Sequence, residues 1–334
     1  MNLNTLGWTP DLKRALAELE ERRWIPGRVV AEHRGAWRVH TGERELLARA
    51  TGRLRHNSTS PLDFPGVGDW VALNTGKNRR PTVEAVLPRR SVFVRKVAGL
   101  HAKVQVVAAN IDHAFLMMSL DGDFNVRRLE RYLAATWESG AAPVILLNKL
   151  DQTESARRDE ALRLVEEVAA GAPILGISAK TGEGLDSLKP FLGPQLTICL
   201  LGSSGVGKST LLNKLKGAQV QITAEVRDKD GKGRHTTTHR ELFALESGAL
   251  VVDTPGMREM RLWSSAGLAD AFPEIAELAD SCRYRDCHHT GDEGCAVDAA
   301  VTLGTVDPER WEAWLKLTKE LQEIEAMRSR SKRR

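Results

Sequence analysis

The stretch LTICLLGSSGVGKSTLLNKL, residues 196–215, decides how the rest of the chain is read. Ile198, Cys199, Leu200 and Leu201 make an apolar run suited to a buried strand, and Leu211, Leu212 and Leu215 then recur at helical spacing. Between them Gly202, Ser203, Ser204, Gly205, Val206, Gly207, Lys208 and Ser209, followed by Thr210, fit G-x-x-x-x-G-K-[ST] in the strand–loop–helix setting the motif requires. The glycines let successive backbone N–H groups turn inward onto phosphate oxygens, at a helix start whose dipole also favours anions. Lys208 is expected to reach the β- and γ-phosphates, and the Ser209 hydroxyl to hold Mg2+.

Around this loop the chain alternates. Apolar strands are expected at 105–108, 113–118, 143–147, 173–177, 196–201 and 249–252, with helices at 125–139, 154–170, 184–192 and 208–216. That alternation signals a mostly parallel sheet covered on both faces. The strand ends carry the nucleotide chemistry. Asn148-Lys149-Leu150-Asp151 follows the strand at 143–147 and has the N-K-x-D form that reads guanine, Asp151 accepting from the N1–H and the exocyclic amine. Adenine offers no such donor pair, so the carboxylate discriminates by hydrogen-bond complementarity. Ser178-Ala179-Lys180 ends the next strand, as the loop that backs the base does.

Asp253-Thr254-Pro255-Gly256 matches D-x-x-G, in which the Asp holds Mg2+ through water and the Gly senses the γ-phosphate. Gly233-Arg234-His235-Thr236-Thr237-Thr238 lies where a switch threonine completes the Mg2+ shell. Thr237 is preferred, although sequence does not separate the three threonines. The two base-reading elements precede the phosphate loop, whereas ordinary GTPases place them after it. The domain is therefore circularly permuted, which is tolerable because adjacent strand ends stay adjacent under new connections. Permutation also runs the segment after Gly256 straight into the C-terminal region, so loss of the γ-phosphate is expected to be felt there through residues 257–268.

The chain has 334 residues, 42% of them hydrophobic and 28% charged, enough for two or three domains. No apolar run approaches the ~20 residues that span a bilayer. The first 26 residues carry acids and lack an apolar core segment, unlike a signal peptide, so a cytoplasmic protein without a membrane partner is expected. The net charge of +4 conceals an asymmetry: residues 27–103 hold 15 Lys/Arg against 6 Asp/Glu. Such local excess suggests a polyanionic partner. The same region has five short strand-like runs, at 27–32, 36–40, 44–50, 69–73 and 82–87, which read as a small β-barrel of the OB type. Arg53, Arg55, Lys77, Arg79, Arg80, Arg89 and Arg90 place the charge on the barrel and its loops. No aromatic ladder is evident beyond Trp37, Phe64 and Trp70, so contacts to RNA shape and phosphate are expected ahead of base stacking. A short helix is expected at 11–24, before the barrel.

After residue 265 helices surround a cysteine cluster. Cys282, Cys287 and Cys295, with either His288 or His289, put three thiolates and one imidazole within 14 residues. Soft S and N donors in a tight loop suit tetrahedral Zn2+, and four protein ligands leave no open position, so one structural Zn2+ is expected. Cys199 stands apart as a core residue. A last helix is expected at about 307–327, and then a disordered basic tail, RSRSKRR, with five positive charges in seven residues. Hydrolysis is written less openly. Met257 occupies the place where Ras-type GTPases carry the glutamine that orients water, so His235 in the switch segment is the candidate catalytic residue.

Permuted order, GSSGVGKST, GRHTTT, DTPG, the N-terminal OB-like barrel and the C-terminal cysteine cluster resemble the RsgA family of small-subunit-dependent bacterial GTPases. The resemblance covers nearly the whole chain. It implies hydrolysis of GTP to GDP stimulated by the small ribosomal subunit, contacts with its rRNA, and a role in late maturation of that subunit, hydrolysis timing release. It also favours His289 as the fourth zinc ligand and supports a catalytic histidine at 235.

The expected architecture is multidomain α/β in four segments. These are a helical extension (1–26), an OB-fold RNA-binding domain (27–100), a circularly permuted P-loop GTPase domain (101–264) and a helical zinc-binding domain with a basic tail (265–334). A monomer is expected. Two rivals are a kinase passing the γ-phosphoryl to a small acceptor, which the guanine-reading elements disfavour, and a GTP-dependent ribosome-binding scaffold with incidental turnover.

Overall fold

The computed structural model describes residues 2–19, 23–33, 35–76, 80–96, 104–217, 240–253 and 265–332. A 3-10 turn at Asn4–Leu6 leads into α1 (Pro10–Ala17), which starts where the Thr9 hydroxyl accepts from the Leu12 N–H and Pro10 takes the first helical position. Then come β1 (Ile25–His33), β2 (Ala36–His40), β3 (Glu45–Ala50), α2 (Gly52–Asn57), β4 (Trp70–Asn74) and β5 (Thr82–Val86). β1 pairs antiparallel with both β2 and β4, β2 with β3, and β4 with β5, while β3 and β5 run parallel. This closes the five-stranded barrel in OB order. Val29, Trp37, Val39, Val71, Leu73 and Val83 fill it. Trp70 is buried too, against Leu6, Leu12 and Leu87, so the N-terminal segment is a packed cover on the barrel.

β6 (Val92–Lys96) and β7 (Val104–Ala109) follow as a separate antiparallel pair. The sequence places residues 105–108 in the parallel sheet. They are excluded from it because both neighbours of the next strand are already taken. The expected boundary at residue 100 falls between these two paired strands.

The rest of the α/β unit is β8 (His113–Ser119), α3 (Val126–Ser139), β9 (Ala142–Asn148), α4 (Ser155–Glu166), β10 (Ile174–Gly176), β11 (Thr197–Leu201), α5 (Lys208–Lys216), β12 (Glu241–Ala244) and β13 (Leu250–Asp253). The order is β10-β9-β8-β11-β13-β12, parallel except for β12. The stretch expected as a helix at 184–192 is a 3-10 segment, Leu185–Phe191, with Pro190 inside it. β12 also pairs with β1 at Ala31↔Glu241, so among the described residues one sheet of 11 strands runs through barrel and α/β unit. Side chains reinforce that seam. Arg240, buried, pairs with Glu32 at 2.9 Å and donates to the Val106 carbonyl at 3.1 Å, and Arg38 joins Glu241 to Glu45.

Arg28 ties three parts of the molecule together. Fully buried, it donates from Nε to the Gly68 carbonyl (3.2 Å), from Nη1 to the Leu6 carbonyl, and from Nη2 to Thr197 Oγ1 (2.8 Å) and the Asn110 carbonyl (3.3 Å). Burial pulls its guanidinium down to about 10, with Asp112 opposing. Among the described residues it has no ion pair, so neutral oxygens carry the charge. Arg28→Met should leave those acceptors buried and cost about 3 kcal/mol of stability. Urea denaturation followed by circular dichroism checks this, and an unshifted midpoint would remove Arg28 as the tie.

The C-terminal unit consists of α6 (Ala266–Ala271), α7 (Pro273–Ala279), α8 (Ala296–Thr302) and α9 (Pro308–Lys332). It docks on α3. A Cβ on Gly267 would lie 2.0 Å from the Ala134 carbonyl oxygen, so only glycine lets α6 approach α3 this closely. Glu130, buried on α3, accepts from Arg310 at 2.9 Å and Arg127 at 3.0 Å; Arg310 also pairs with Glu274, and Arg131 with Glu320 at 2.8 Å. The backbone of α9 runs to Lys332, so most of the basic end expected as a disordered tail is helical. Arginine and lysine are good helix formers and favour the negative end of the helix dipole.

Candidate nucleotide site and metal centre

The parallel strands deliver their motifs to one edge. β9 ends on Asn148, β11 ends on Leu201 just before Gly202, and β13 ends on Asp253, one residue beyond the Cys199↔Val252 pair. Gly202 and Gly207 have positive φ, 149° and 105°. A Cβ on Gly202 would stand 2.6 Å from the Met117 carbonyl oxygen, and one on Gly207 would stand 2.2 Å from Asn148 Nδ2, so both positions need glycine. Lys208 opens α5 and donates from Nζ to the Gly202 carbonyl at 2.6 Å and to the Ser203 carbonyl, which curls the loop around its own lysine. Ser209 and Thr210 continue the first turn of α5. A helix N-terminus with this loop before it presents backbone N–H groups to an anion.

Asn148 binds the separate elements together. Buried, it donates from Nδ2 to the Val206 carbonyl at 2.7 Å and accepts at Oδ1 from the Ala179 N–H at 2.9 Å. One amide thus spans the phosphate loop, the N-K-x-D loop and the S-A-K loop. Asp151 accepts from Ser178 Oγ at 2.6 Å, which lowers its pKa and keeps it an ionised acceptor. Lys149 sits at φ 74°. Lys180, next to Ala179, lowers the Asp151 pKa further by its charge. Burial raises the Asp253 pKa while nearby Lys216 and Lys208 oppose it, an environment in which a divalent cation would restore the charged form.

His235, Thr236, Thr237, Thr238, Gly256 and Met257 lie outside the described residues, as do residues 257–264 of the 257–268 junction. Two carboxylates that the motifs do not contain are in the site. Asp121 takes a hydrogen bond from Lys149 Nζ at 2.5 Å, and Asp123 takes one from Ser203 Oγ. The D-G-D turn directly after an apolar strand was the available sequence signal.

Cys282, Cys287, His289 and Cys295 bring one donor atom each within 4.8 Å of one another. His289 Nδ1 is 3.4 Å from Cys282 Sγ and 3.5 Å from Cys295 Sγ, and the two sulfurs are 4.0 Å apart. Those separations suit the edges of a tetrahedron with Zn–S bonds of about 2.3 Å, and the Cys3His donor set is consistent with zinc. His288 is exposed and outside the cluster; its N–H donates to Asp292 at 3.1 Å. The buried His289 ring meets Trp311 and Trp314 of α9 edge-on, so the cluster fastens the last helix to the loop. Cys199 is a buried free thiol, its pKa pushed far up by burial.

On the barrel, Arg53, Arg55, Arg80 and Arg90 are exposed, while Lys77 and Arg79 fall outside the described residues. Arg89 is not available to a partner: it grips Asp69 at 2.7 Å and the Leu62 and Phe64 carbonyls at 2.6 and 2.9 Å. Trp37 and Trp70 are core residues and cannot stack on bases. Among the described residues no helix is long and apolar enough to cross a membrane.

Residues 86–263 match the family model described as RsgA GTPase. The chain is 45% identical over 331 residues to the small ribosomal subunit biogenesis GTPase RsgA of Opitutus terrae, covering 96% of this chain and 90% of that one. It is 45% identical over 322 residues to the small ribosomal subunit biogenesis GTPase RsgA 2 of Lactiplantibacillus plantarum, with coverage of 96% and 90%. Among solved structures it is similar to YjeQ from Thermotoga maritima, with a TM-score of 0.67 and 26% identity, covering 90% of this chain and 99% of that one. YloQ, a circularly permuted GTPase, shares the fold at a TM-score of 0.64 and 23% identity, covering 90% and 96%.

Proposed function

Because the chain belongs to the RsgA family of small ribosomal subunit biogenesis GTPases and is a GTP hydrolase, we propose that it hydrolyses GTP on the small ribosomal subunit and grips that subunit's rRNA. The observation that carries the nucleotide half of this reading is Asn148, whose two bonds hold base-reading and phosphate-gripping loops in one frame. In it, Asp151 reads guanine, Ser178, Ala179 and Lys180 back the base, and residues 202–210 cradle the phosphates. Lys208 neutralises charge that builds on the β- and γ-oxygens. Ser209, Thr237 and Asp253 would hold Mg2+, which supplies further charge neutralisation at the transferred phosphate. Gly256 senses the γ-phosphate, and His235 aligns the attacking water when the subunit is bound. The zinc cluster is structural, and the protein acts as a cytoplasmic monomer.

The basic barrel supports the rRNA half, with exposed Arg53, Arg55, Arg80 and Arg90 meeting phosphates. Binding through phosphates releases counterions, so affinity for small subunits should fall at least tenfold between 50 and 200 mM salt, roughly linearly in log–log form. Sedimentation of the protein with isolated subunits checks this. Affinity that stays flat with salt removes the electrostatic grip. A second reading, a ribosome-bound scaffold with incidental turnover, is favoured by Met257 in place of a water-orienting glutamine.

A further inference from the structure

We propose that the turn Asp121-Gly122-Asp123 positions both halves of the nucleotide site, Asp121 acting through Lys149 and Asp123 through Ser203. The proposal rests on the nucleotide site read above. Topology puts the turn there. β8 lies between β9 and β11, paired in register as Ser119↔Asn148 and Leu116↔Leu201. The chain leaving β8 therefore emerges between the base-reading loop and the phosphate loop.

The turn is fixed from within. Asp121 Oδ1 accepts from Ser119 Oγ at 2.7 Å and from the Asp123 N–H at 3.1 Å. Arg128, in the first turn of α3, donates to both Asp123 oxygens at 2.8 and 2.9 Å. Each carboxylate turns an oxygen to a motif residue: Asp121 Oδ2 to Lys149 Nζ at 2.5 Å, and Asp123 Oδ2 to Ser203 Oγ. Asp121 is the carboxylate paired with Lys149 among the described residues. Both acids are neutralised by these partners, so they do not oppose a polyphosphate.

The gain is preorganisation. A lysine already held in one rotamer does not lose that freedom when the ligand arrives, and a tethered Ser203 keeps the second residue of the phosphate loop in place. Neither acid touches nucleotide in this scheme, so both are positioning residues. An exposed ion pair with no such role would contribute almost nothing to binding.

The test is equilibrium binding of mant-GDP to the full-length protein with Mg2+, alongside melting temperatures. Asp121→Ala should bind about fivefold more weakly while staying fully folded at the assay temperature, since a loss of about 1.0 kcal/mol is a factor of about five. Asp121→Asn, which keeps an acceptor, should fall between Asp121→Ala and the wild type. The Asp121→Ala/Lys149→Ala double variant should bind no more weakly than Lys149→Ala alone, because Asp121 acts through that lysine. Asp123→Ala and Ser203→Ala should show the same non-additivity. Wild-type affinity in Asp121→Ala, tighter binding, or losses that multiply in the double variants would overturn the proposal. Failure of the wild type to bind mant-GDP would instead overturn the site reading itself.

Discussion

GTP turnover should fall by more than about 100-fold in Lys208→Ala, the scale seen when one preorganised charge donor is removed from an active site. Lys208 starts α5 where loop and helix dipole meet, and its Nζ already lies against the Gly202 and Ser203 carbonyls. In the proposed reading it would face the phosphates that the backbone N–H groups would hold. As γ-phosphoryl transfer proceeds, negative charge moves toward the β–γ bridge, and a fixed ammonium there lowers the barrier without reorganising solvent. Alanine leaves the loop without its central cation. Single-turnover phosphate release at saturating GTP checks this, because it separates the chemical step from weakened binding. A variant within a few-fold of wild type would remove Lys208 from the chemistry.

Zinc removal should produce the largest change in stability. Structural zinc sites contribute binding free energies of about 10–16 kcal/mol in small domains, and that energy is folding energy. Here the cluster joins the loop at 282–295 to α8 and α9: Cys295 caps α8, its Sγ accepting from the Asp298 N–H at 3.3 Å, and His289 packs against Trp311 and Trp314. Stripping metal with a strong chelator, or the change Cys282→Ser, should lower the C-terminal unit's melting transition by more than about 10 °C, since each 1 kcal/mol shifts a small domain by about 4–8 °C. The released metal should titrate as one zinc per chain. An unchanged transition after complete removal would contradict a structural role. Because Glu130–Arg310 and Gly267 hold α3 to this unit, unfolding there should loosen α3 as well.

The parts legible in sequence are those where chemistry dictates residue type. G-x-x-x-x-G-K-S, N-K-x-D and the cysteine spacing name themselves because phosphate, guanine and soft metal each demand particular donors. The barrel was legible because five short strand-like runs follow one another within about 60 residues. Arg28 was not, because charge alone argues for the surface, and only the assembled fold shows the carbonyls that hold it. β12 escaped notice since four residues, Glu241–Ala244, carry too short a pattern. The segment at 92–96 reads as a strand only beside its partner at 104–109. Of the charges expected on the barrel surface, Arg89 turns inward to Asp69, because that buried carboxylate needs a partner. Asp121 and Asp123 had only the D-G-D turn after an apolar strand as a signal, and strand order is what brings that turn between the two loops.

The small ribosomal subunit should switch on the chemistry of this GTPase. Phosphate release from GTP by the purified protein, alone, with isolated small subunits, and with isolated large subunits, measures that switch. Turnover should be slow alone, since Met257 cannot orient water, and should rise at least tenfold with small subunits only, a rise lost in His235→Ala. Equal turnover under all three conditions, with small subunits demonstrably bound, would contradict it and leave a scaffold whose hydrolysis is incidental.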